Sequence, residues 1–236
     1  MFAKAIALVR REGVVGSMSH VASIAYWTYV TYRDDTRFDR RYGIETSRVE
    51  SDYLADVRSD HVAGATYYEA SKQRDFAKMM GLIPVDRRAV TFIDAGCGKG
   101  RVLFFAALDG FENIVGVEFS DALASVASTN AELFKRRTKT TASISVLTQD
   151  VATFEFPDTD VVLYLYNPFG AELMQIVIDR VVGFAARTKR RVYIAYRNPK
   201  CAALFESHPS IATIASDPAY AVYCCQHEPS GEGSRR

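Results

Sequence analysis

The stretch Thr91-Phe92-Ile93-Asp94-Ala95-Gly96-Cys97-Gly98-Lys99-Gly100 decides how this chain folds. It reads as a short buried strand from Val90 to Ile93, then an acid, three glycines at alternate positions, and an apolar helix starting near Lys99. Glycine lacks a Cβ, so alternating glycines let the backbone take positive φ and come close to a bound molecule. The helix that follows aims its free N–H groups at the same spot. Spacing discriminates among the ligands such a turn serves. The dinucleotide fingerprint is G-x-G-x-x-G; here the third glycine comes one residue early, at Gly100, and Arg101 stands in its place. A P-loop is excluded because no Gly-Lys-Ser/Thr ends the turn.

Downstream, apolar strands and helices alternate. The first helix runs to Leu108 and is closed by Asp109-Gly110. Ile114-Val115-Gly116-Val117-Glu118 is a buried strand ending in an acid. Ser120-Asp121 starts a helix in which Leu123, Val126, Ala127, Leu133 and Phe134 recur at helical spacing. Ile144 to Leu147 is a third strand, ending near Asp150. Val161 to Tyr166 is a fourth, followed at once by Asn167-Pro168-Phe169-Gly170 and a helix carrying Met174, Val177, Ile178, Val181 and Ala185 on one face. Val192 to Tyr196 is a fifth, ending at Arg197-Asn198-Pro199. Alternation of this kind implies a parallel, doubly wound sheet. Ile211 to Ala215 and Tyr220 to Cys225 are separated by too few residues for a crossover helix, so they pair antiparallel. The expected fold class is α/β: a mostly parallel seven-stranded sheet with a C-terminal antiparallel hairpin and an N-terminal helical extension.

Three regions follow: an extension over 1–89, a core over 90–227 and a polar, glycine-rich tail over 228–236. Residues 1 to about 32 read as two short helices broken near Gly13 and Gly16. The apolar, aromatic run from Ser19 to Tyr32 lacks a strongly basic face, so a helix docked on the domain is preferred to one lying at a membrane surface. Residues 34–60 are dense in charges of both signs and read as irregular structure. Thr66 to Met80 is expected to be helical, with Phe76, Met79 and Met80 sharing a face, Gly81 as its cap and Pro84 as its stop.

Of the 236 residues 48% are apolar and the net charge is +1, so no global field singles out nucleic acid or an acidic partner. Arg10-Arg11-Glu12 interrupts the first apolar run well before membrane-spanning length, and the basic residues follow that run, the reverse of a signal peptide. No transmembrane segment is expected. Cys97, Cys201, Cys224 and Cys225 form no C-x-x-C pair and have no histidines at zinc spacing; reduced, buried thiols and a cytoplasmic location are the expectation, with no metal.

The D-x-G-x-G-x-G motif of Asp94 to Gly100, with the five alternating strands and the hairpin, resembles the class I S-adenosylmethionine-dependent methyltransferases over roughly residues 90–226. In an open parallel sheet, ligands bind beyond the carboxyl ends of the strands, and Asp94, Glu118, Asp150, Asn167 and Asn198 all fall on that edge. The resemblance implies S-adenosyl-L-methionine as cofactor, held by Asp94, Gly96, Cys97, Gly98 and Gly100. It gives Glu118 the ribose diol, Phe119 the adenine ring and Asp150 the adenine amino group. Asp94 would lie by the cofactor's ammonium, where the opposite charge favours ionised carboxylate. Cys97 fills a variable position of the turn and is read as structural.

Asn167-Pro168-Phe169 resembles the Asn/Asp-Pro-Pro-Tyr/Phe corner of amino-group methylases, in which the acceptor nitrogen is held by the Asn oxygen and the aromatic stacks on the target. It has one proline where that corner has two, so a plain strand-to-helix turn is the competing reading, with Asn167 still bordering the cofactor. A looser similarity to the seven-strand protein lysine methyltransferases, through Tyr67-Tyr68-Glu69-Ala70-Ser71, implies a cofactor-capping role for Tyr68.

No histidine lies on the active edge of the core, so a base for an oxygen nucleophile is lacking and a nitrogen acceptor, on a small molecule or a protein side chain, is favoured. The basic clusters from Lys135 to Lys139 and from Arg187 to Arg191 lie between helix ends and following strands, away from that edge; they read as solvated helix ends, not a nucleic-acid surface. Two alternatives stay open: a cofactor-binding module without turnover that binds a protein partner, and an NAD-dependent oxidoreductase, with which Arg101 conflicts.

Overall fold

The computed structural model describes residues 36–47, 71–166 and 169–226. The chain divides into two compact units, Met1–Arg41 and Tyr42–Arg236. In the first, the described residues 36–41 are helical. The expected helices before residue 32 and the tail over 228–236 lie outside the described residues, as do Tyr68, Asn167 and Pro168.

In the second unit, α1 (Gln73–Met80) precedes β1 (Thr91–Ala95), α2 (Arg101–Leu108), β2 (Asn113–Glu118), α3 (Asp121–Thr138) and β3 (Ser143–Thr148). A 3₁₀ turn (Val151–Thr153) leads to β4 (Val161–Tyr166), α4 (Ala171–Thr188), β5 (Val192–Arg197), α5 (Ala202–Glu206), β6 (Ile211–Asp217) and β7 (Tyr220–Cys225). The seven strands form one sheet in the order β3-β2-β1-β4-β5-β7-β6. β1 to β5 pair in parallel, and β7 runs antiparallel to both β5 and β6. The order reverses between β1 and β4, and such a switch point opens a crevice beyond the carboxyl ends of the strands.

Side chains alternate across the sheet. Ile93, Ala95, Leu163, Leu165, Ile194 and Tyr223 join Met174, Ile178 and Val181 of α4 in one buried cluster. The opposite face carries Phe92 and Tyr164, which meet Phe76 of α1 with ring centroids 5.8 and 6.0 Å apart. Burying each such ring contributes roughly 1.5–3 kcal/mol, so α1 is held on the sheet by its Phe76 face.

Local signals explain the helix ends. Ser120 Oγ accepts the Leu123 N–H at 3.3 Å and starts α3; Lys139, at φ +56, ends it after three basic residues in the last turn. That charge suits the carbonyl end of a helix. α2 begins at Arg101 and not near Lys99, because Gly100 sits at φ +85, outside helical space. Gly81 caps α1 through its N–H to the Ala77 carbonyl (3.0 Å), in right-handed geometry at φ −62.

Candidate cofactor site

The glycine turn leaves β1 at Ala95 and bends over the end of β2. Gly96, Gly98 and Gly100 take φ of +79, +53 and +85, which explains glycine at alternate positions. Gly96 and Cys97 donate their N–H groups to the Val117 carbonyl at 2.8 and 3.1 Å. Gly98 donates to Glu118 Oε2 at 2.8 Å, and Glu118 Oε1 accepts the Ser120 N–H at 2.9 Å. One carboxylate therefore joins the turn after β1 to the start of α3. An ionised carboxylate offers about four acceptor sites, more than its backbone donors occupy.

Asp94 pairs in register with Gly116 on β2 and Tyr164 on β4. It is buried, and burial first, then the charge of Glu118, holds its carboxyl well above the usual carboxylate range. Glu118 is pushed up by burial too, opposed by its backbone donors. Two acids sharing a desolvated edge are poised for a ligand that brings positive charge and hydroxyls. Next to them Phe119 is 38% exposed, an aromatic surface left open beside the strand-end acid. Asp150 stands beyond the end of β3, where its Oδ1 caps the 3₁₀ turn by accepting the Ala152 N–H at 2.8 Å.

Cys97 is buried and its thiol is raised well above its ordinary value by burial and by Asp94 and Glu118, so it is no thiolate nucleophile. Its Sγ fills the space over Gly116, where a Cβ would sit 2.7 Å from it. Phe169 is half-buried against the cluster beneath α4. Asp94, the glycine turn, Glu118, Phe119 and Asp150 thus all occur at the carboxyl ends of β1, β2 and β3.

Two residues that the sequence reading treated only as spacing turn out to be structural. Lys99 and Arg101 are 1% and 4% exposed. Lys99 Nζ pairs with Glu45 Oε1 at 2.7 Å. Arg101 donates to Thr46 Oγ1 at 2.8 Å and to the Ser71 carbonyl at 3.0 Å. The available signal was charge itself: two cations flanking the third glycine, at the start of an otherwise apolar helix, need buried partners.

At the opposite edge, Arg190 and Arg191 pair with Asp158 and Asp160 at 3.0 and 3.1 Å. A cleft of about 270 Å³ lined by Glu155, Phe156, Arg180, Gly183, Phe184 and Arg187 involves the C-terminal half of α4, away from the glycine turn. No group of His, Cys, Asp and Glu among the described residues could hold a metal, and no described helix is long and apolar enough to cross a membrane.

Residues 93–167, from β1 to the end of β4, match the methyltransferase domain family. No curated protein matches the chain. Solved structures resemble it at a distance. A magnesium protoporphyrin IX methyltransferase from Synechocystis PCC 6803 with bound S-adenosylmethionine is 18% identical, over 66% of this chain and 79% of its own (TM-score 0.45). A ribosomal protein L11 methylase from Lactobacillus delbrueckii subsp. bulgaricus is 16% identical, over 66% and 78% (TM-score 0.46). An RNA methyltransferase from Salinibacter ruber in complex with S-adenosyl-L-homocysteine is 18% identical, over 68% and 97% (TM-score 0.46). The sheet order is that of a Rossmann-like α/β fold, and the part of it from residue 93 to residue 167 is what matches the methyltransferase domain family.

Proposed function

We propose that this protein binds S-adenosylmethionine along the carboxyl edge of β1 to β3 and transfers its methyl group to a nitrogen of a small molecule or a protein side chain. Glu118 accepts the ribose hydroxyls, Phe119 lies on the adenine, Asp150 accepts from the adenine amino group, and Asp94 faces the ammonium. Gly96, Cys97, Gly98 and Gly100 supply the close backbone approach, and Tyr68 covers the ligand. The observation that carries this reading is the 2.8 Å hydrogen bond from Gly98 to Glu118, which brings the glycine turn and the second strand's acid to one place.

When bound, S-adenosylmethionine supplies an electrophilic methyl on a sulfonium sulfur, open to in-line attack by a lone pair. The protein's task is alignment and exclusion of water. Asn167 accepts a hydrogen bond from the N–H of the acceptor nitrogen and so aims its lone pair, and Phe169 flanks the target; as the new N–C bond forms the S–C bond would break, S-adenosylhomocysteine would leave and the nitrogen's surplus proton would pass to water. The pairing of Arg190 and Arg191 with aspartates at the far edge supports a substrate other than nucleic acid. Four free cysteines support a reducing, cytoplasmic location.

Calorimetric titration with S-adenosylhomocysteine tests the reading: the wild type binds, and Gly98→Arg, which fills the turn, does not. A folded wild type that binds nothing, or a Gly98→Arg variant that binds equally well, overturns it. A second reading, a binding module without turnover, rests on the single proline of the Asn167 corner; transfer of labelled methyl to any acceptor in a cell extract excludes it.

A further inference from the structure

We infer that Lys99, Asn130 and Arg101 are positioning residues that make the cofactor turn and the segment 42–47 dock as one unit, so that cofactor affinity and docking of that segment rise and fall together. The inference rests on the cofactor reading above and adds a second element to it, outside the glycine motif.

Asn130, on α3, is 3% exposed, and its side-chain amide bridges the two pieces. Its Nδ2 donates to the Glu45 carbonyl at 2.9 Å and to the Lys99 carbonyl at 3.0 Å, while its Oδ1 accepts the Glu45 N–H at 3.0 Å. The Lys99 carbonyl belongs to the peptide between Gly98, bound to Glu118, and Gly100, held at φ +85. Fixing that carbonyl fixes the last peptide of the turn.

The charges couple the same pieces. Lys99 is 1% exposed on its side chain but its partner Glu45 is 53% exposed, so the carboxylate is the side of the pair that can leave. Should 42–47 lift away, the Lys99 ammonium would lose this partner in a desolvated place, which is costly. Arg101 adds a parallel tie through Thr46, itself fully buried, and through Ser71, whose Oγ lies 3.3 Å from Tyr164 Oη beside Asp94. Tyr42 packs on Phe134 of α3 at 5.0 Å and closes the other end of the segment. Two arrangements follow: segment docked with the turn formed, or segment released with the turn relaxed. A ligand that needs the formed turn must favour the docked segment, and by linkage the docked segment favours the ligand by the same factor.

The test uses the full chain, S-adenosylhomocysteine and hydrogen–deuterium exchange. In the wild type, the ligand slows exchange over residues 42–47 as well as over 96–101. Glu45→Gln and Asn130→Ala weaken binding about 5- to 150-fold, the usual span of a coupling between sites, and reduce ligand protection of 42–47. Glu132→Gln, on the exposed side of α3, changes neither. Should Asn130→Ala fail to fold, Glu45→Gln and the wild-type exchange experiment decide. Equal binding by folded Glu45→Gln, or a wild type in which the ligand protects the turn but not 42–47, overturns the inference and leaves the cofactor reading standing. A folded wild type that binds no S-adenosylhomocysteine overturns the cofactor reading and this inference with it.

Discussion

Glu118 Oε2 takes the N–H of Gly98 at 2.8 Å, so the last residue of β2 is hydrogen-bonded to the middle of the turn that follows β1. The same carboxylate therefore serves the fold and the proposed ribose contact. Glu118→Gln keeps the shape but puts a neutral group with a single acceptor oxygen where Gly98, Ser120 and the ribose diol all donate. Hydrogen bonds to charged groups are worth about 1.5–3 kcal/mol, so the dissociation constant for S-adenosylhomocysteine should rise about 10- to 100-fold. Calorimetry reads this directly, and unchanged affinity would remove Glu118 from the ligand.

Gly116 and Cys97 predict a compensating pair. A Cβ at position 116 would lie 2.7 Å from Cys97 Sγ and 2.8 Å from Leu103 Cδ1. Gly116→Ala should destabilise by about 1–3 kcal/mol, the usual cost of overpacking. Cys97→Ala removes the nearer atom, so the double variant should recover part of the loss, with a coupling energy of about 0.5–3 kcal/mol. Denaturant melts of the four proteins close the cycle; strictly additive losses would show that the sulfur is not what excludes a side chain there.

These two sites also show where the sequence could be read and where it could not. The apolar runs closing on Asp94 and Glu118 mark strand ends to within a residue, because a charged residue marks the point at which a buried strand meets water or ligand, whereas Asp150 stands two residues past the more exposed β3. The short link at Pro218 fixes the hairpin, because four residues cannot cross over. Gly116 inside β2 gave no such sign: its reason is the sulfur of Cys97, which is adjacent only in three dimensions. Lys99 and Arg101 were read only as spacing, and their partners Glu45, Thr46 and Ser71 stand 54, 55 and 30 positions away along the chain. Asn130 looked like an ordinary polar residue of an amphipathic helix, and only the chain packed against it reveals its three backbone partners.

Asp94 sets a pH dependence of stability. Its folded-state carboxyl is held well above the ordinary 3.8 by burial and by Glu118. A raised acid stabilises the fold fully below its unfolded value, and that contribution is lost as pH rises through the folded value. Glu118 acts in the same direction. Without ligand, the wild type should therefore lose stability as pH rises above about 4, whereas Asp94→Asn lacks the Asp94 part of the loss. The melting-temperature difference in favour of Asp94→Asn should widen as pH rises above the ordinary carboxylate value of about 4. Parallel curves for the two proteins would show that the carboxyl does not carry this cost.

The same group predicts a proton linked to binding. In the ligand-free protein, burial favours the neutral acid at position 94. The ammonium of S-adenosylhomocysteine, placed beside it, favours the carboxylate. Binding should then expel a proton, and affinity should rise with pH through the raised Asp94 value, opposite in sign to the stability of the free protein. Titrations of the wild type in two buffers of different ionisation enthalpy give the proton count, and a pH series of dissociation constants gives its range. Proton uptake, or affinity that stays flat from acid to neutral pH, would separate Asp94 from the ligand's amino group and move that group elsewhere on the edge.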